Sequence, residues 1–272
     1  MTTESRNPLT RFIDRASTAD MLRMIQEENY RSVETVQSAL PAIEQACELA
    51  AASVAAGGRL IYVGAGTSGR LAVCDAAECP PTFGVPPETV CAVMAGGQEA
   101  VFHAVEGCED NEQAGELALL ALQPGKTDTV VGISASGNAP FVVGALTAAR
   151  SCGCHAVALV CNADCSLSRL AEVTVFTPTG AEVIAGSTRM KAGNAQKMVL
   201  NMLSTVAMVK TGKVYENLMI NLRPTNQKLR GRMIGIVSEL TGNDAAVAKR
   251  QLELYDWRIP AAVQAWQKGG KK

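Results

Sequence analysis

The chain contains the stretch Arg59-Leu-Ile-Tyr-Val-Gly-Ala-Gly-Thr-Ser-Gly-Arg70. An apolar run, residues 60–63, leads directly into three closely spaced glycines, and apolar residues at helical spacing follow. This order predicts a buried strand, a glycine turn and a helix. Glycine lets the backbone approach an anion closely, and a helix N-terminus carries partial positive charge. The stretch therefore predicts a phosphate site at Gly66, Thr67 and Ser68, and a tight turn without a ligand is the alternative.

The same glycines match G-x-G-x-x-G, the fingerprint of dinucleotide binding. A dinucleotide site needs an acidic residue at the end of the next strand, about 20 residues further on, to hold a ribose hydroxyl. The next apolar run, residues 89–94, ends instead in Ala95-Gly-Gly-Gln98. A plain phosphate is therefore favoured over NAD.

A second apolar run, residues 129–134, leads into Ala135-Ser-Gly-Asn138. This loop again carries small hydroxyl residues, Ser134 and Ser136, before a predicted helix. Two hydroxyl-and-glycine loops at the carboxyl ends of two strands predict one phosphorylated small molecule held between them.

The chain from residue 59 onward alternates between strand-like and helix-like segments. The strands are predicted near residues 59–64, 89–95, 128–134, 155–161 and 172–177. Their apolar runs lack a period of two, which is typical of a parallel sheet buried on both faces. The prediction is an α/β three-layer sandwich with a five-stranded parallel sheet, flavodoxin-like, flanked by N- and C-terminal helices. The predicted organisation is an N-terminal arm with helices (1–49), a phosphate-binding domain (50–213) and a helical tail (214–272).

A third segment, Gly186-Ser-Thr-Arg-Met-Lys-Ala-Gly193, precedes a long apolar helical stretch at residues 194–209. Ser187 and Thr188 are predicted to cap that helix. Its start would then be a third helix N-terminus that favours an anion.

Composition narrows the class of protein. The 272 residues are 47% hydrophobic and 19% charged with a net charge of −1, which is typical of a compact globule and argues against nucleic acid as a partner. Nine cysteines without a C-x-x-C pair predict reduced thiols in a cytoplasmic protein, and only two histidines argue against a metal site. No cofactor, signal peptide or membrane span is expected.

Carboxylates are the natural groups for proton transfer where histidine is scarce. Glu78 is predicted at the C-terminal end of the first glycine-loop helix, where its charge opposes the helix dipole, and a Pro80-Pro81 turn is predicted to follow. An ordinary solvated glutamate is the alternative. A second acidic run, residues 106–112, contains several carboxylates, among which the local sequence does not discriminate.

Seven segments occur in one order along the chain: Asn7-Pro8, Gly64-Ala-Gly-Thr-Ser-Gly-Arg70, Glu78-Cys-Pro-Pro-Thr-Phe-Gly84, Ala95-Gly-Gly97, Glu109-Asp-Asn111, Ser134-Ala-Ser-Gly137 and Gly186-Ser-Thr-Arg-Met-Lys-Ala-Gly193. In this order they resemble the N-acetylmuramic acid 6-phosphate etherases, enzymes of the sugar-isomerase (SIS) fold, over nearly the whole chain. The third and the last segments are the most specific, because general phosphosugar isomerases do not share them.

The resemblance implies cleavage of the ether between the sugar C3 and D-lactate, which yields N-acetylglucosamine 6-phosphate and D-lactate. It implies that the sugar opens to its aldehyde, that a base removes the C2 proton, that lactate leaves from C3 and that water adds. Carried over by position, Glu78 would protonate the departing lactate oxygen and Glu109 would handle the C2 proton. Neither a metal nor a cofactor is implied.

The resemblance also implies binding residues and an assembly. Phosphate would be bound by Thr67, Ser68, Ser134 and Ser136, and the sugar pocket would be completed by Ser187 or Thr188 with Lys191. A homodimer is implied. Two departures stand out: Glu28-Asn29 replaces an acidic pair that is frequent in relatives, and Asn138 stands where Arg is frequent.

Three alternatives share parts of this pattern. The glucokinase regulatory protein senses sugar phosphates without turnover, but it joins two related domains and this chain has room for one. A phosphosugar isomerase shares the fold and the ring opening but does not need the E-C-P-P segment. An NAD-dependent enzyme is disfavoured by the missing acidic residue.

Overall fold

The computed structural model describes residues 3–269, so the last three residues of the predicted tail, 270–272, lie outside the described residues. The described chain forms two compact units. The first contains residues 3–77 and 88–207, and the second contains residues 78–87 and 208–269. The three segments expected from the sequence, 1–49, 50–213 and 214–272, stay a prediction.

A five-stranded sheet organises the first unit. Its strands are Leu60–Gly64 (β1), Val90–Met94 (β2), Thr129–Ser134 (β3), His155–Val160 (β4) and Val173–Phe176 (β5). All neighbours are parallel, in the order β2-β1-β3-β4-β5, which is the flavodoxin-like order. The predicted five-stranded parallel sheet is confirmed. Because Gly64 lies beside Ile133 of β3, the carboxyl ends of β1 and β3 meet at one edge of the sheet.

Helices surround this sheet. They are Thr18–Ser38 (α1), Leu40–Ala55 (α2), Gly66–Phe83 (α3), Glu99–Phe102 (α4), Glu112–Leu120 (α5), Pro140–Ser151 (α6), Ser166–Leu170 (α7) and Lys191–Lys210 (α8). Short 3₁₀ turns occur at Pro8–Thr10, Ile13–Arg15 and Cys108–Asp110. Helices α3 and α8 begin in the first unit and continue into the second.

Neighbouring side chains of β3 show that both faces of the sheet are covered. Thr129 shares a 2.7 Å hydrogen bond with Ser53 of α2. Val130 packs in a buried apolar cluster with Val142 and Leu146 of α6. Because successive strand residues point to opposite faces, α2 and α6 lie on opposite sides of the sheet. This is the predicted three-layer arrangement.

The N-terminal arm is fixed to the segment that precedes α8. The Asn7 amide donates to the carbonyl oxygen of Ala181 (3.3 Å), and the Thr10 hydroxyl donates to that of Val183 (2.7 Å). Further along, Lys191 forms a buried ion pair with Glu28 of α1. The first part of the chain is therefore held by a segment more than 160 residues away.

The second unit is built on three helices, Gln227–Thr241 (α9), Ala245–Leu254 (α10) and Ile259–Gly269 (α11). Their shared core consists of apolar side chains: Met233, Ile236, Val237, Ala248, Leu252, Ile259 and Ala262. Asn226 and Asp244 cap α9 and α10, and Gly242 ends α9 in a left-handed conformation. No helix within residues 3–269 has both the length and the apolar character that a membrane span requires.

The Pro80-Pro81 turn predicted from the sequence is wrong, because α3 continues through both prolines to Phe83. The proline φ angle is compatible with a helix, although each proline removes an N–H donor and crowds the carbonyl four residues earlier. Gly84 ends the helix instead: its φ is +65° and its N–H donates to the carbonyl of Pro80 (2.9 Å). Asn221 fixes this end through a 2.5 Å hydrogen bond to the Phe83 carbonyl.

Candidate functional site

A cavity of about 400 Å³ opens in the first unit where β1 and β3 end. The strand order reverses at this point, and ligands of open α/β sheets bind at such a switch point. The cavity is lined by Glu4, residues 65–68, Glu109, Asp110, residues 133–136, residues 138–140, Gly186 and Thr188. The structure therefore brings both hydroxyl-and-glycine loops of the sequence into one cavity.

The start of α3 offers free backbone donors to this cavity. The first N–H that bonds back is that of Gly69, which donates to the Ala65 carbonyl (3.2 Å). The N–H groups of Gly66, Thr67 and Ser68 meet no acceptor among residues 3–269. Gly66 has a φ of +53°, which glycine adopts without strain. An anion here would meet three donors and the positive end of the helix dipole.

Two further glycines make this turn possible. A Cβ added to Gly64 would lie 2.7 Å from the Gly69 backbone nitrogen, and one added to Gly69 would lie 2.8 Å from the Gly64 carbonyl oxygen. The end of β1 and the first turn of α3 therefore touch through their backbones. No residue with a side chain fits at either position without moving the turn.

The second loop is held by its own serines. Ser134 accepts from the Gly137 N–H (3.1 Å), Ser136 accepts from the Asn138 N–H (3.2 Å), and the two hydroxyl oxygens lie 3.3 Å apart. The Asn138 side chain is also engaged, because its oxygen accepts from the Ser166 N–H and hydroxyl. The serine hydroxyls are thus placed at the cavity by the loop itself.

Three more hydroxyl groups line the cavity or its edge. Ser68 donates to Gln196 of α8 (2.9 Å), which fixes the orientation of the serine. The hydroxyls of Thr67 and Thr188 have no hydrogen-bond partner in the described part of the chain. Ser187 is not among the lining residues, although its neighbours Gly186 and Thr188 are.

The charged groups of the cavity are all acidic. Glu109 and Asp110 reach it from the 3₁₀ turn Cys108–Asp110, and Glu4 reaches it from the N-terminal arm. No Lys, Arg or His lines the cavity within residues 3–269. Backbone donors and hydroxyls can hold a phosphate here, and a carboxylate can transfer protons beside it. Sequence reasoning missed Glu4, because only the folded arm brings that residue to the sheet edge.

Two residues that the resemblance singled out lie elsewhere. Glu78 is an exposed residue of α3 and belongs to the second unit. Lys191 is 2% exposed, and its ammonium group binds Glu28 and the carbonyl oxygen of Ala181 (2.7 Å). Neither residue is among those that line the cavity.

The start of α8 differs from the prediction that Ser187 and Thr188 cap it. The carboxylate of Glu182, which is fully buried, accepts from the N–H groups of Lys191 (3.0 Å) and Ala192 (2.9 Å). Burial raises the pKa of the Glu182 carboxyl, and the two N–H donors oppose that rise. The next two N–H groups donate to the carbonyls of Thr188 and Met190. This N-terminus is therefore filled by the protein's own groups, and the predicted third anion site is wrong.

Within the described chain, no three His, Cys, Asp or Glu side chains converge in a way that could hold a metal ion.

Comparison with known proteins agrees with this geometry. Residues 42–150 match the family model for the glucokinase regulatory protein N-terminal SIS domain. A phosphoheptose isomerase from Francisella tularensis has the same fold, with a TM-score of 0.56 and 19% identity over 71% of this chain and 98% of its own.

Two curated relatives are far more similar in sequence. An N-acetylmuramic acid 6-phosphate etherase from Yersinia pestis is 50% identical over 98% of this chain and 90% of its own length. N-acetylmuramic acid 6-phosphate etherase 1 from Bacillus licheniformis is 47% identical over 97% of this chain and 86% of its own length. On this identity and coverage, the chain belongs to the N-acetylmuramic acid 6-phosphate etherase family.

Proposed function

We propose that this protein is a carbon–oxygen lyase that cleaves the D-lactyl ether of N-acetylmuramic acid 6-phosphate, giving N-acetylglucosamine 6-phosphate and D-lactate. Family membership supports the substrate. The structural observation that carries the proposal is the cavity in which the free N–H groups at the start of α3 and the Glu109 carboxylate meet. Such a site can hold a sugar phosphate at one end and transfer protons at the other.

The phosphate is proposed to bind at the start of α3. Its oxygens accept hydrogen bonds from the backbone of residues 66–68 and from the hydroxyls of Thr67, Ser134 and Ser136. Ser68 is proposed to exchange its hydrogen bond to Gln196 for one to the phosphate. Because the cavity has no cationic side chain in the described chain, the helix dipole and these donors carry the recognition. Thr188, on the opposite loop, is proposed to bind the sugar. Ser187 and Lys191 are proposed to support that loop.

Glu109 is proposed to act on the opened sugar. It removes the C2 proton, the electron pair of that C–H bond forms the C2–C3 double bond, and the C3–O bond breaks towards lactate. Water then adds its oxygen to C3 and a proton returns to C2, so the net reaction consumes one water. The departing oxygen needs a proton, for which we propose Glu78 on the strength of the family motif Glu78-Cys-Pro-Pro-Thr-Phe-Gly84.

We further propose that the protein is a homodimer. Three large apolar side chains of α1, Leu22, Tyr30 and Val33, are 62%, 58% and 55% exposed. Their spacing places them within one face of the helix, and such a face is commonly covered by another chain. Sedimentation velocity should therefore show a dimer that Leu22→Glu with Val33→Glu dissociates, and a wild-type monomer would contradict the proposal.

A cytoplasmic location is proposed as well. No disulfide joins any of the nine cysteines in the described residues, which suits a reducing compartment. A fluorescent fusion fractionating with periplasmic or membrane markers would contradict this location.

The direct test is turnover in water enriched in heavy oxygen. Incubation with N-acetylmuramic acid 6-phosphate should release lactate of normal mass and place heavy oxygen on C3 of the sugar. Glu109→Gln should lower the rate about 10²- to 10⁴-fold, the range for loss of a general base, and should suppress exchange of the C2 hydrogen with solvent. Asp110→Asn, a change of the adjacent cavity carboxylate, is the matched control and should reduce the rate far less.

Each alternative gives a different result in the same experiment. Saturable binding of the sugar phosphate without any lactate would favour a regulatory sugar-phosphate sensor, in line with the match to the glucokinase regulatory protein domain. Exchange or epimerisation at C2 without lactate would favour an isomerase, because the acetamido-bearing C2 can lose and regain its proton but cannot become a ketone.

A further inference from the structure

A small recess of about 170 Å³ adjoins the cavity and shares Gly66 and Glu109 with it. One part of its wall is apolar and consists of Met94, Ala95, Ala100, Ala104 and Val105. Its charged groups are Arg70, Glu106 and the shared Glu109. We call this space the Arg70 recess. It combines a hydrophobic wall with one cation, directly beside the proposed base.

Arg70 is fixed in position with part of its hydrogen-bonding capacity unused. Its Nε donates to the carbonyl of Val101 (3.2 Å) and its Nη2 to the carbonyl of His103 (3.1 Å). A guanidinium group has five N–H donors. The remaining three have no partner within residues 3–269, so a planar acceptor can still bind to the fork.

The charges around the two spaces make this cation distinctive. The cavity is lined by the carboxylates of Glu4, Glu109 and Asp110, and Arg70 is the one cation that lines either space in the described chain. The Asn138 side chain is held by Ser166 and by the Ser136 carbonyl. A second anionic group on the ligand, besides the phosphate, is therefore compensated best at Arg70.

We propose that the Arg70 recess binds the D-lactyl group of the substrate, with its carboxylate on Arg70 and its methyl group against Ala100 and Val105. This inference rests on the proposed function. The lactyl ether is attached to C3, the neighbour of the carbon whose proton Glu109 removes, so this group must lie beside Glu109. Arg70 is then a specificity-determining residue that distinguishes the substrate from the product sugar, which lacks the lactyl carboxylate.

The test crosses two ligands with two proteins. The ligands are N-acetylmuramic acid 6-phosphate and its lactyl carboxamide, and the proteins are the wild type and Arg70→Met. The wild type should prefer the carboxylate about 10- to 100-fold in kcat/KM, the range for a hydrogen bond between charged groups, and Arg70→Met should lose that preference. Inhibition by N-acetylglucosamine 6-phosphate should be the same for both proteins.

Two results would overturn the inference. If Arg70→Met lowers kcat/KM equally for both ligands, Arg70 only positions the segment around Val101 and His103. If Arg70→Met weakens inhibition by N-acetylglucosamine 6-phosphate as much as it lowers kcat/KM for the substrate, the recess binds a group that both sugars share, such as the acetamido group.

If Arg70→Met fails to fold, Arg70→Lys can take its place. This variant keeps the positive charge and should retain part of the preference for the carboxylate. Equal kcat/KM for the two ligands in the wild type would overturn the inference without any variant. Absence of lactate from both ligands is instead a failure of the proposed function. In that case, the dissociation constants of the two ligands, measured by calorimetry on the wild type, test the recess independently, and equal constants would overturn it.

Discussion

Helices α3 and α8 begin in similar sequence but differ in what their N-termini bind. Gly66-Thr-Ser68 are the first residues of α3, Gly186-Ser-Thr188 shortly precede the first residue of α8, and both starts belong to the first unit. At α3 the N–H groups of residues 66–68 meet no acceptor in the described chain, whereas at α8 Glu182 and two carbonyls accept from residues 191–194. An anion site is therefore defined by the lack of an internal acceptor, and the Gly-Ser-Thr composition alone does not create one.

Burial explains why α8 needs its own carboxylate. Lys191 and Ala192 are 2% and 0% exposed, so water cannot satisfy their N–H groups. The residues that begin α3 are partly exposed and line a cavity, where solvent or a ligand can accept their hydrogen bonds. One N-terminus supports the fold and the other is left for a ligand.

The largest effect is expected from a change that closes the open N-terminus. In Gly64→Ala, the new Cβ would lie 2.7 Å from the Gly69 nitrogen, and the clash is between backbone segments. We expect a loss of about 3 kcal/mol in unfolding free energy and at least a 100-fold loss of affinity for N-acetylmuramic acid 6-phosphate.

Urea unfolding and calorimetry measure the two quantities. Gly125→Ala is the matched control, because its Cβ would meet nothing within 4 Å, and it should leave both unchanged. Wild-type affinity in Gly64→Ala would show that the backbone contact of Gly64 with Gly69 does not define the open site.

An intermediate loss of stability is expected from a change at the start of α8, whose N–H groups are bound within the protein. Glu182→Ala leaves the buried N–H groups of Lys191 and Ala192 without acceptors, which should lower the unfolding free energy by about 2–3 kcal/mol. Ser17→Ala removes the exposed cap of α1 and should cost about 1 kcal/mol. Equal urea midpoints for the two variants would show that a buried helix cap contributes no more to stability than an exposed one.

The smallest effect on ligand binding is expected from the serines near the two helix starts, Ser68 at α3 and Ser187 before α8. Ser68 lines the cavity, so Ser68→Ala should remove one phosphate contact and weaken substrate binding about 5- to 10-fold, the range for one hydrogen bond. Ser187→Ala should weaken binding less than Ser68→Ala does, because Ser187 supports the loop of Thr188 but does not line the cavity. A larger loss of substrate affinity in Ser187→Ala than in Ser68→Ala would show that the phosphate binds near the start of α8 and not at α3.

Local sequence was sufficient for the sheet and for the first loop. The run predicted at 59–64 is observed as Leu60–Gly64, and that at 128–134 as Thr129–Ser134. Strands buried on both faces produce uninterrupted apolar runs, and a glycine turn follows its strand directly. These features depend on neighbours in the chain, so they can be seen without the structure.

Contacts between distant residues could not be predicted in the same way. Glu182 caps a helix that begins nine residues later, and Arg70 binds carbonyls 31 and 33 residues away. Lys191 belongs to the segment Gly186-Ser-Thr-Arg-Met-Lys-Ala-Gly193, yet its partner Glu28 is 163 residues away. No local pattern marks such pairs, because they are selected by packing once the sheet has formed.

The Glu28–Lys191 pair also has a consequence for synthesis of the chain. After Glu28 leaves the ribosome, 163 further residues must emerge before its partner Lys191 does. At about 5–20 residues per second, the interval is about 8–33 s. During that time α1 has neither its buried counter-charge nor the segment that anchors the N-terminal arm. Helix α1 is thus made early but reaches its native contacts late, and it stays accessible to chaperones and proteases until the region around residue 191 emerges.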